Sequence, residues 1–341
     1  MSPAELVDAV RSHAASDRFA TDSGGAIAVA IGGAGPPVAL TAGPLRSLPF
    51  VIVGLGAGAP DPRWLPLVDV IVEPASDELR AIERSVTECP RASTALALLL
   101  RGSDGRSVAD GLVAESATYA LLQGGPEFAR WRAATARRPD HDLGSDRVRV
   151  QREGDRLTIT LARPARRNAV DAAMRDELCE ALTLVALDPS ITQVELAGEG
   201  PDFCAGGDLD EFGDRPDPAT AHLVRLHRSP ARLLAAIAPK VTARLHGACL
   251  GSGLELPAFG RRVIATPDVR LGLPEIRLGL VPGAGGTVSI PARIGRHRTA
   301  WLALTGHTID GPTALAWGLI DEIDETDVTK EQRPERAGRG R

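Results

Sequence analysis

An α/β fold is the class this sequence predicts, on three observations. In the second half of the chain a short apolar strand, a glycine-rich loop and a helix recur as a unit. In the first half, short apolar runs bounded by Gly or Pro give way to helical periodicity. Gly (36) and Pro (26) are also too numerous among 341 residues for a helical bundle. Aromatics are only 3%, so the core is expected to be assembled from Ala, Val, Leu and Ile.

The length predicts two domains. The first segment, 1–143, reads as a small α/β unit. Strands are expected at Ala26–Ile31, Phe50–Gly54 and Val68–Val72, followed by helical patterning from Ala75 through Leu79, Ile82 and Val86 to Leu96–Leu100. A second helical stretch, Asp110 to Ala134, is broken near Gly124-Gly125-Pro126. The polar, unpatterned run from Arg137 to Asp142 predicts a linker. The second segment, 144–324, opens with a hairpin, Arg147–Gln151 and Arg156–Ala162, turning at Glu153-Gly154-Asp155. Val170–Leu187 is an amphipathic helix with Met174, Leu178, Leu182 and Val185 on one face. Then come strand Gln193–Ala197, a helix over Ala219–Ala238 bent at Pro230, and strand Val241–Leu245. A helix from Ser252, strands Arg262–Thr266 and Val269–Leu273, and a further helix complete the pattern. Residues 325–341 read as a flexible tail ending in a short basic run.

Composition excludes several functions. With 43% apolar and 24% charged residues the chain is not wholesale disordered. The net charge is −5 and no basic stripe is interleaved with aromatics, so no nucleic-acid partner is expected. Cys89, Cys179, Cys204 and Cys249 show no CxxC spacing, which predicts neither a disulfide framework nor a zinc finger and suits a reducing cytoplasm. No metal is expected, because the His residues show neither HxxxH nor HExxH spacing; His222 and His227 read as lying on a solvated helix face. Glu5 and Asp8 interrupt the first apolar residues, so no secretion signal is expected. The longest apolar stretches, such as Thr94–Leu100, are too short to span a bilayer, so neither a membrane nor a location outside the cytoplasm is expected.

Three glycine loops follow strands: Phe203–Asp208, His246–Gly253 and Val281–Thr287. Glycine lets backbone N–H groups approach a ligand closely, and a helix starting there adds its positive end. Two such loops can aim two N–H donors at one developing oxyanion. Glu255 lies between Leu254 and Leu256, and Glu275 follows Leu271-Gly272-Leu273-Pro274. Carboxyls in apolar surroundings are costly unless paired or functional, and desolvation raises their pKa toward values useful for proton transfer. Gly251-Ser252-Gly253 is not a nucleophile elbow, because residues 250 and 254 are both Leu. Gly54-Leu55-Gly56-Ala57-Gly58 fails as a dinucleotide loop: its third glycine comes one residue early, and Pro60 and Pro62 oppose the required helix. Cys204 and Cys249 read as small packing residues.

The stretch Gly200–Leu209, the run His246–Glu255, and Pro274-Glu275 through Val281–Thr287 together resemble the crotonase (enoyl-CoA hydratase/isomerase) superfamily, over about Arg147 to Asp324. The resemblance implies a spiral of ββα units for the core, preceded here by the smaller α/β segment. It implies that the N–H groups of Gly207 and Ser252 form an oxyanion hole, Ser252 standing where the family usually has Gly. That Ser is compatible with the role if its φ is negative. It implies that Glu255 and Glu275 are the acid/base pair, and that Arg166, Ala205, Gly206 and Asp208 contact coenzyme A. The reaction implied is hydration of a 2-enoyl-CoA thioester to a 3-hydroxyacyl-CoA. The alternatives are double-bond isomerisation or a non-catalytic acyl-CoA-binding role. No cofactor is needed beyond the coenzyme A of the substrate, and a trimer-based homo-oligomer is implied as the assembly.

One departure from the family pattern carries a further expectation. The family continues with helices beyond the segment resembling Thr305–Ile323, whereas this sequence turns polar. Ala117–Pro139 and Glu88–Arg101 resemble those terminal helices. Either the N-terminal segment supplies in front what is missing behind, or it is a generic helical pair.

Overall fold

The computed structural model describes residues 2–11, 25–31, 35–37, 42–137, 146–213 and 217–325. The expected linker, apart from Arg137, and the expected tail, apart from Glu325, lie outside the described residues, as does the 143/144 boundary.

The three expected N-terminal strands form. β1 (Ala26–Ala30), β2 (Val51–Leu55) and β3 (Val70–Val72) make a parallel sheet in that order, with α1 (Pro3–Arg11) against β1. The helical patterning from Ala75 onward resolves into α2 (Asp77–Glu88) and α3 (Pro90–Arg101). Ser76 caps α2 by accepting from the Leu79 N–H. Pro90 has no N–H to donate back into α2, which forces the break at Cys89 and starts α3 afresh. α4 (Val108–Gln123) and α5 (Pro126–Ala134) meet at the anticipated Gly-Gly-Pro. A buried ion pair ties helix to sheet: Arg101 of α3 donates to Asp69 at 2.7 and 2.6 Å and to the carbonyls of Leu45 and Leu48. Removing one partner of such a pair leaves a bare charge and costs ~3–5 kcal/mol.

The second half begins with the antiparallel hairpin β4 (Val148–Glu153) and β5 (Arg156–Leu161). α6 (Ala172–Leu187) buries Met174, Leu178, Leu182 and Val185, the face its periodicity marks, and Asp171 caps it through the Met174 N–H. β6 (Gln193–Gly198) follows. The stretch expected as one bent helix is two, α7 (Pro218–His227) and α8 (Pro230–Ile237), because Ser229 re-caps the chain and Pro230 starts a new first turn. β7 (Val241–Leu245) and β8 (Ala248–Leu250) lead to α9 (Ser252–Glu255). This helix is a single turn, shorter than anticipated, since Pro257 cannot extend the ladder. β9 (Arg262–Ala265), β10 (Arg270–Gly272), α10 (Gly286–Thr305, kinked at Gly295), α11 (Gly311–Trp317) and β11 (Glu322–Ile323) complete the order.

Strands β11-β9-β7-β6-β5-β4 form one six-stranded sheet, parallel except for the β4–β5 hairpin. A second layer consists of the parallel pair β8–β10 with isolated bridges Val170↔Gly207, Cys204↔Cys249 and Leu271↔Ile309. This layer sets the strand-to-helix loops near residues 205, 251 and 275 side by side. The architecture is α/β, wound in successive strand–loop–helix turns.

One hydrophobic cluster runs from Val51 and Val53 through Leu96, Leu100 and Tyr119 to Leu182, Leu254, Ile290 and Ile320. α10 lies at its centre, packed on α2, α3, α4 and β3, while α4 also packs on α7 and α8. Helices from both segments therefore share one core. Only the outer face of the N-terminal sheet, with Val29, Ile52 and Trp64, forms a cluster of its own.

Candidate active site

A cleft of about 560 Å³ opens where the second layer meets α4, α7 and α8. The loops supply Ala205, Gly206, Gly207, Ser252, Glu255 and Glu275 to its wall; α4 supplies Leu112, Glu115, Tyr119 and Gln123. Seven of the eight residues expected at the site from the resemblance, Asp208 included, thus converge. Arg166 does not line the cleft: its guanidinium donates to Asp210 at 2.9 Å, and its buried Nε has no partner. The Asp208 carboxylate, 2.7 Å from Arg163, is held within the protein.

Gly206 and Gly207 enter the site through the bridge to Val170. There the Val170 N–H donates to Gly206 O and the Asp208 N–H to Val170 O, which leaves the Gly207 N–H outside the pairing. Ser252 is the first residue of α9, where an N–H has no intrahelical acceptor. Among the described residues neither N–H donates to a protein acceptor. Ser252 does not have a positive φ, so its side chain imposes no backbone strain. The strained residue is its neighbour. Gly251 sits at φ 51°, ψ −122°, and a Cβ there would overlap Glu275 Oε1. Glycine at 251 lets the second loop and the Glu275 carboxyl come together.

Glu255 is 2% exposed and Glu275 is 8% exposed. The Glu255 Oε2 accepts from the N–H groups of Ala284 and Gly286, both at 2.8 Å, on the third glycine loop. Burial, reinforced by the neighbouring Glu275 and Glu115 carboxyls, pushes its pKa well above the usual carboxylate range despite those two donors. Glu275 occupies a 3₁₀ turn just after β10, and its buried Oε2 has no partner. Burial raises its pKa to about 8, so near neutral pH it holds a proton. A buried carboxyl oxygen without a protein partner is rare in folded proteins and makes Glu275 a candidate for proton transfer.

A third carboxyl escaped the sequence reasoning. Glu115 of α4 is 1% exposed and accepts from Gly285 N (2.7 Å), Thr287 N (2.8 Å) and Thr287 Oγ1 (2.7 Å). Burial raises it to about 7 against the lowering effect of these bonds. Its signal was present in the sequence: Leu112, Glu115, Tyr119 and Leu122 fall at helical spacing on one buried face, and the charge interrupts the apolar stripe. Arg225 of α7 stacks over the Tyr119 ring at 4.5 Å and donates to Ser116 and Gln123. His222 is not on a solvated face; its Nδ1 lies 2.8 Å from Ser116 Oγ and joins α7 to α4.

Among the described residues no cluster of three or more His, Cys, Asp or Glu side chains is arranged to hold a metal ion, and no helix is long and apolar enough to cross a membrane. Chemically, the cleft offers two free backbone donors beside two desolvated carboxyls, both with raised pKa values. That set can stabilise an oxyanion and move protons on adjacent atoms.

Known proteins are similar to the second half of the chain. Residues 153–339 match the family described as enoyl-CoA hydratase/isomerase. The chain is 36% identical over 182 residues to 2,3-dehydroadipyl-CoA hydratase of Escherichia coli (strain K12), covering 53% of this chain and 71% of the relative. It is 38% identical over 179 residues to cyclohexa-1,5-dienecarbonyl-CoA hydratase of Thauera aromatica, covering 52% and 67%. With 1,2-epoxyphenylacetyl-CoA isomerase of Escherichia coli (strain K12) it shares 35% over 177 residues, covering 50% and 67%. Among solved structures, enoyl-CoA hydratase from Bacillus anthracis superposes with a TM-score of 0.50 at 30% identity, covering 55% of this chain and 73% of that one. With the matched segment spanning more than half of the chain, the protein belongs to the crotonase (enoyl-CoA hydratase/isomerase) superfamily.

Proposed function

We propose that this protein hydrates a 2-enoyl-CoA thioester to the 3-hydroxyacyl-CoA, with Glu255 and Glu275 as the acid/base pair. The observation that carries the reading is the meeting, in one cleft, of two desolvated carboxyls with two backbone N–H groups that have no protein acceptor. The thioester oxygen is bound by the N–H groups of Gly207 and Ser252, and the enolate charge that develops on it is stabilised there. Glu255, held by Ala284 and Gly286, acts from its ionised form and takes a proton from water as the water oxygen bonds to C3. Glu275 gives its proton to C2. Water is added across the double bond, and proton exchange between the two carboxyls and solvent resets the pair. The reaction needs no cofactor beyond the coenzyme A of the substrate. Ala205, Gly206 and Asp208, which line the cleft, are the coenzyme A contacts this reading favours.

We propose as well that residues 1–143 complete the site, since α4 forms the wall facing both glutamates. The test of the chemistry is turnover of short and medium 2-enoyl-CoA thioesters in ¹⁸O-labelled water. Hydration places the label at C3. Glu255→Gln and Glu275→Gln are each expected to lower kcat by ~10²-fold or more while binding is retained. Near-wild-type hydration by either variant overturns the paired-carboxyl reading.

One observation favours double-bond isomerisation as a second reading. Glu275 keeps a fully buried carboxyl oxygen without a protein partner, and a single proton carrier suffices to shift a double bond. In that case Glu255→Gln keeps turnover and no ¹⁸O enters the product. Binding without turnover of any thioester points instead to a non-catalytic partner role.

A further inference from the structure

We propose that Glu115, contributed by α4 of the N-terminal segment, is a positioning residue for the reaction, fixing the Glu255 carboxyl by sharing with it the turn that begins α10. The inference rests on the acid/base assignment of Glu255 above.

The geometry is an alternation. Along four consecutive residues the Ala284 N–H donates to Glu255, Gly285 to Glu115, Gly286 to Glu255 and Thr287 to Glu115, at 2.8, 2.7, 2.8 and 2.8 Å. The first turn of a helix leaves such N–H groups without intrahelical acceptors, and one side chain at the N-cap usually takes one of them. Here the N-cap is Gly285 at φ +99°, with no side chain to offer, and a Cβ there would press on Phe259 and Ala231. The acceptors therefore have to come from elsewhere in the molecule. Glu255 comes from the preceding unit of the core and Glu115 from a helix 170 residues away in sequence.

Two carboxyls on one turn compete for its donors. With Glu115 in place, Glu255 Oε2 is confined to the amides of Ala284 and Gly286. Without it, the Gly285 and Thr287 N–H groups are orphaned, and the turn or the Glu255 carboxyl can rotate to satisfy them. A displacement on the order of 1 Å at a reacting group is worth ~10²-fold in rate. The same proximity makes the two groups titrate together. Glu115 faces Glu255 of α9, Glu275 of the 3₁₀ turn, Tyr119 of its own helix, and Arg225 of α7, while His222 of α7 holds the adjacent Ser116. Negative charge on Glu115 disfavours negative charge on Glu255 and Glu275 and raises the pKa of both.

The test is the full-length Glu115→Gln variant, nearly isosteric and neutral, beside Glu115→Asp. Glu115→Gln is expected to lower kcat by ~10- to 10²-fold with KM changed less than about 3-fold, and to move the alkaline limb of the kcat profile to lower pH. Glu115→Asp keeps the charge and is expected to hold the limb in place while recovering part of kcat. A second readout needs no turnover: in ¹³C-Glu-labelled protein, the titration midpoint of the Glu255 side-chain carboxyl carbon is expected to fall in Glu115→Gln. If wild type hydrates nothing, the acid/base reading fails, yet the fall in midpoint still supports the shared turn. If Glu115→Gln leaves kcat within about 2-fold, the alkaline limb unmoved and the midpoint unchanged, Glu115 is a helix cap alone and the proposal is overturned. Should Glu115→Gln not fold, the same readouts in Thr287→Val, which removes one donor to Glu115, decide the matter: unchanged profiles there overturn it too.

Discussion

The two walls of the cleft are built on different principles. The core wall comes from contiguous motifs: Ala205-Gly206-Gly207-Asp208, Gly251-Ser252-Gly253-Leu254-Glu255 and Pro274-Glu275 each deliver backbone and side chain from a single loop. The facing wall is made of helices: α4 sets Leu112, Glu115, Tyr119 and Gln123 along one side, and α7 and α8 stand beside it. Backbone chemistry needs close approach, so it concentrates glycine and becomes visible locally. A wall made of side chains needs only helical spacing, and its meaning appears once a partner surface faces it. The walls meet at the Ala284–Thr287 turn, which receives one carboxyl from each.

The largest expected effect comes from removing one wall entirely. A fragment starting at Gly144 lacks α2, α3 and α4, which pack on α10, and so strips the cover from buried Ile290, Leu302 and Leu304. Exposing side chains of that size costs ~1.5–3 kcal/mol each, and a few of them exceed a typical stability margin. The fragment is expected to be insoluble or inactive, with partial recovery when residues 1–143 are supplied as a separate chain. Solubility and the cooperativity of thermal unfolding check this. A well-folded, fully active 144–341 fragment would show that α4 is an appendage to a cleft the core completes alone.

This contrast also explains what was legible in the sequence. The α/β class, the three N-terminal strands, the buried face of α6 and the three glycine loops follow from local pattern, whereas the meeting of Gly207, Ser252, Glu255 and Glu275 was implied by the family resemblance alone. Periodicity and glycine placement encode the former within about ten residues. The apolar stripe around Glu115 marks it as buried, but its role is not local: its partners, Gly285 and Thr287, are 170 and 172 residues away. The pairing of the Asp208 carboxylate with Arg163, 45 residues before it, is likewise not local. His222 was assigned to a solvated face for the same reason: its partner Ser116 lies 106 residues before it. Long-range polar pairing is what pattern alone does not carry.

Within the core wall, the backbone donor at 252 can be broken without touching a side chain of the pair. Ser252→Ala keeps the N–H and is expected to retain activity within a few fold, whereas Ser252→Pro deletes it and is expected to cost ~10²–10³-fold in kcat. A large loss in Ser252→Ala would mean that the hydroxyl itself participates, which favours a hydrolytic reaction. Gly251→Ala sharpens the point from the next residue. Positive φ and the overlap with Glu275 Oε1 together are expected to cost ~1–3 kcal/mol in stability and to displace that carboxyl, seen as a lower Tm with a larger fall in kcat than in affinity.

The smallest effect separates the walls by pH. Glu275 on the core wall is raised from 4.5 to about 8, and Glu115 on the facing wall from 4.5 to about 7, in both cases chiefly by burial. For a carboxyl raised on folding, the folded state holds a proton that the unfolded chain has already lost. Between the two pKa values the folded state therefore binds more protons, and stability falls as pH rises. The contribution is complete below about pH 4.5 and is lost through about pH 7 for Glu115 and about pH 8 for Glu275. Wild type is thus expected to show a Tm that declines by several degrees across this window, set against the other titrations of the molecule. Glu275→Gln cannot ionise and is expected to flatten the decline up to about pH 8, and Glu115→Gln only up to about pH 7. Differential scanning calorimetry of the three proteins over the same pH series measures the difference directly. If both variants flatten the curve identically, the two carboxyls titrate as one unit across the shared turn, and the distinction between the walls does not extend to their protons. If neither does, the desolvation of these groups is relieved by water in the cleft.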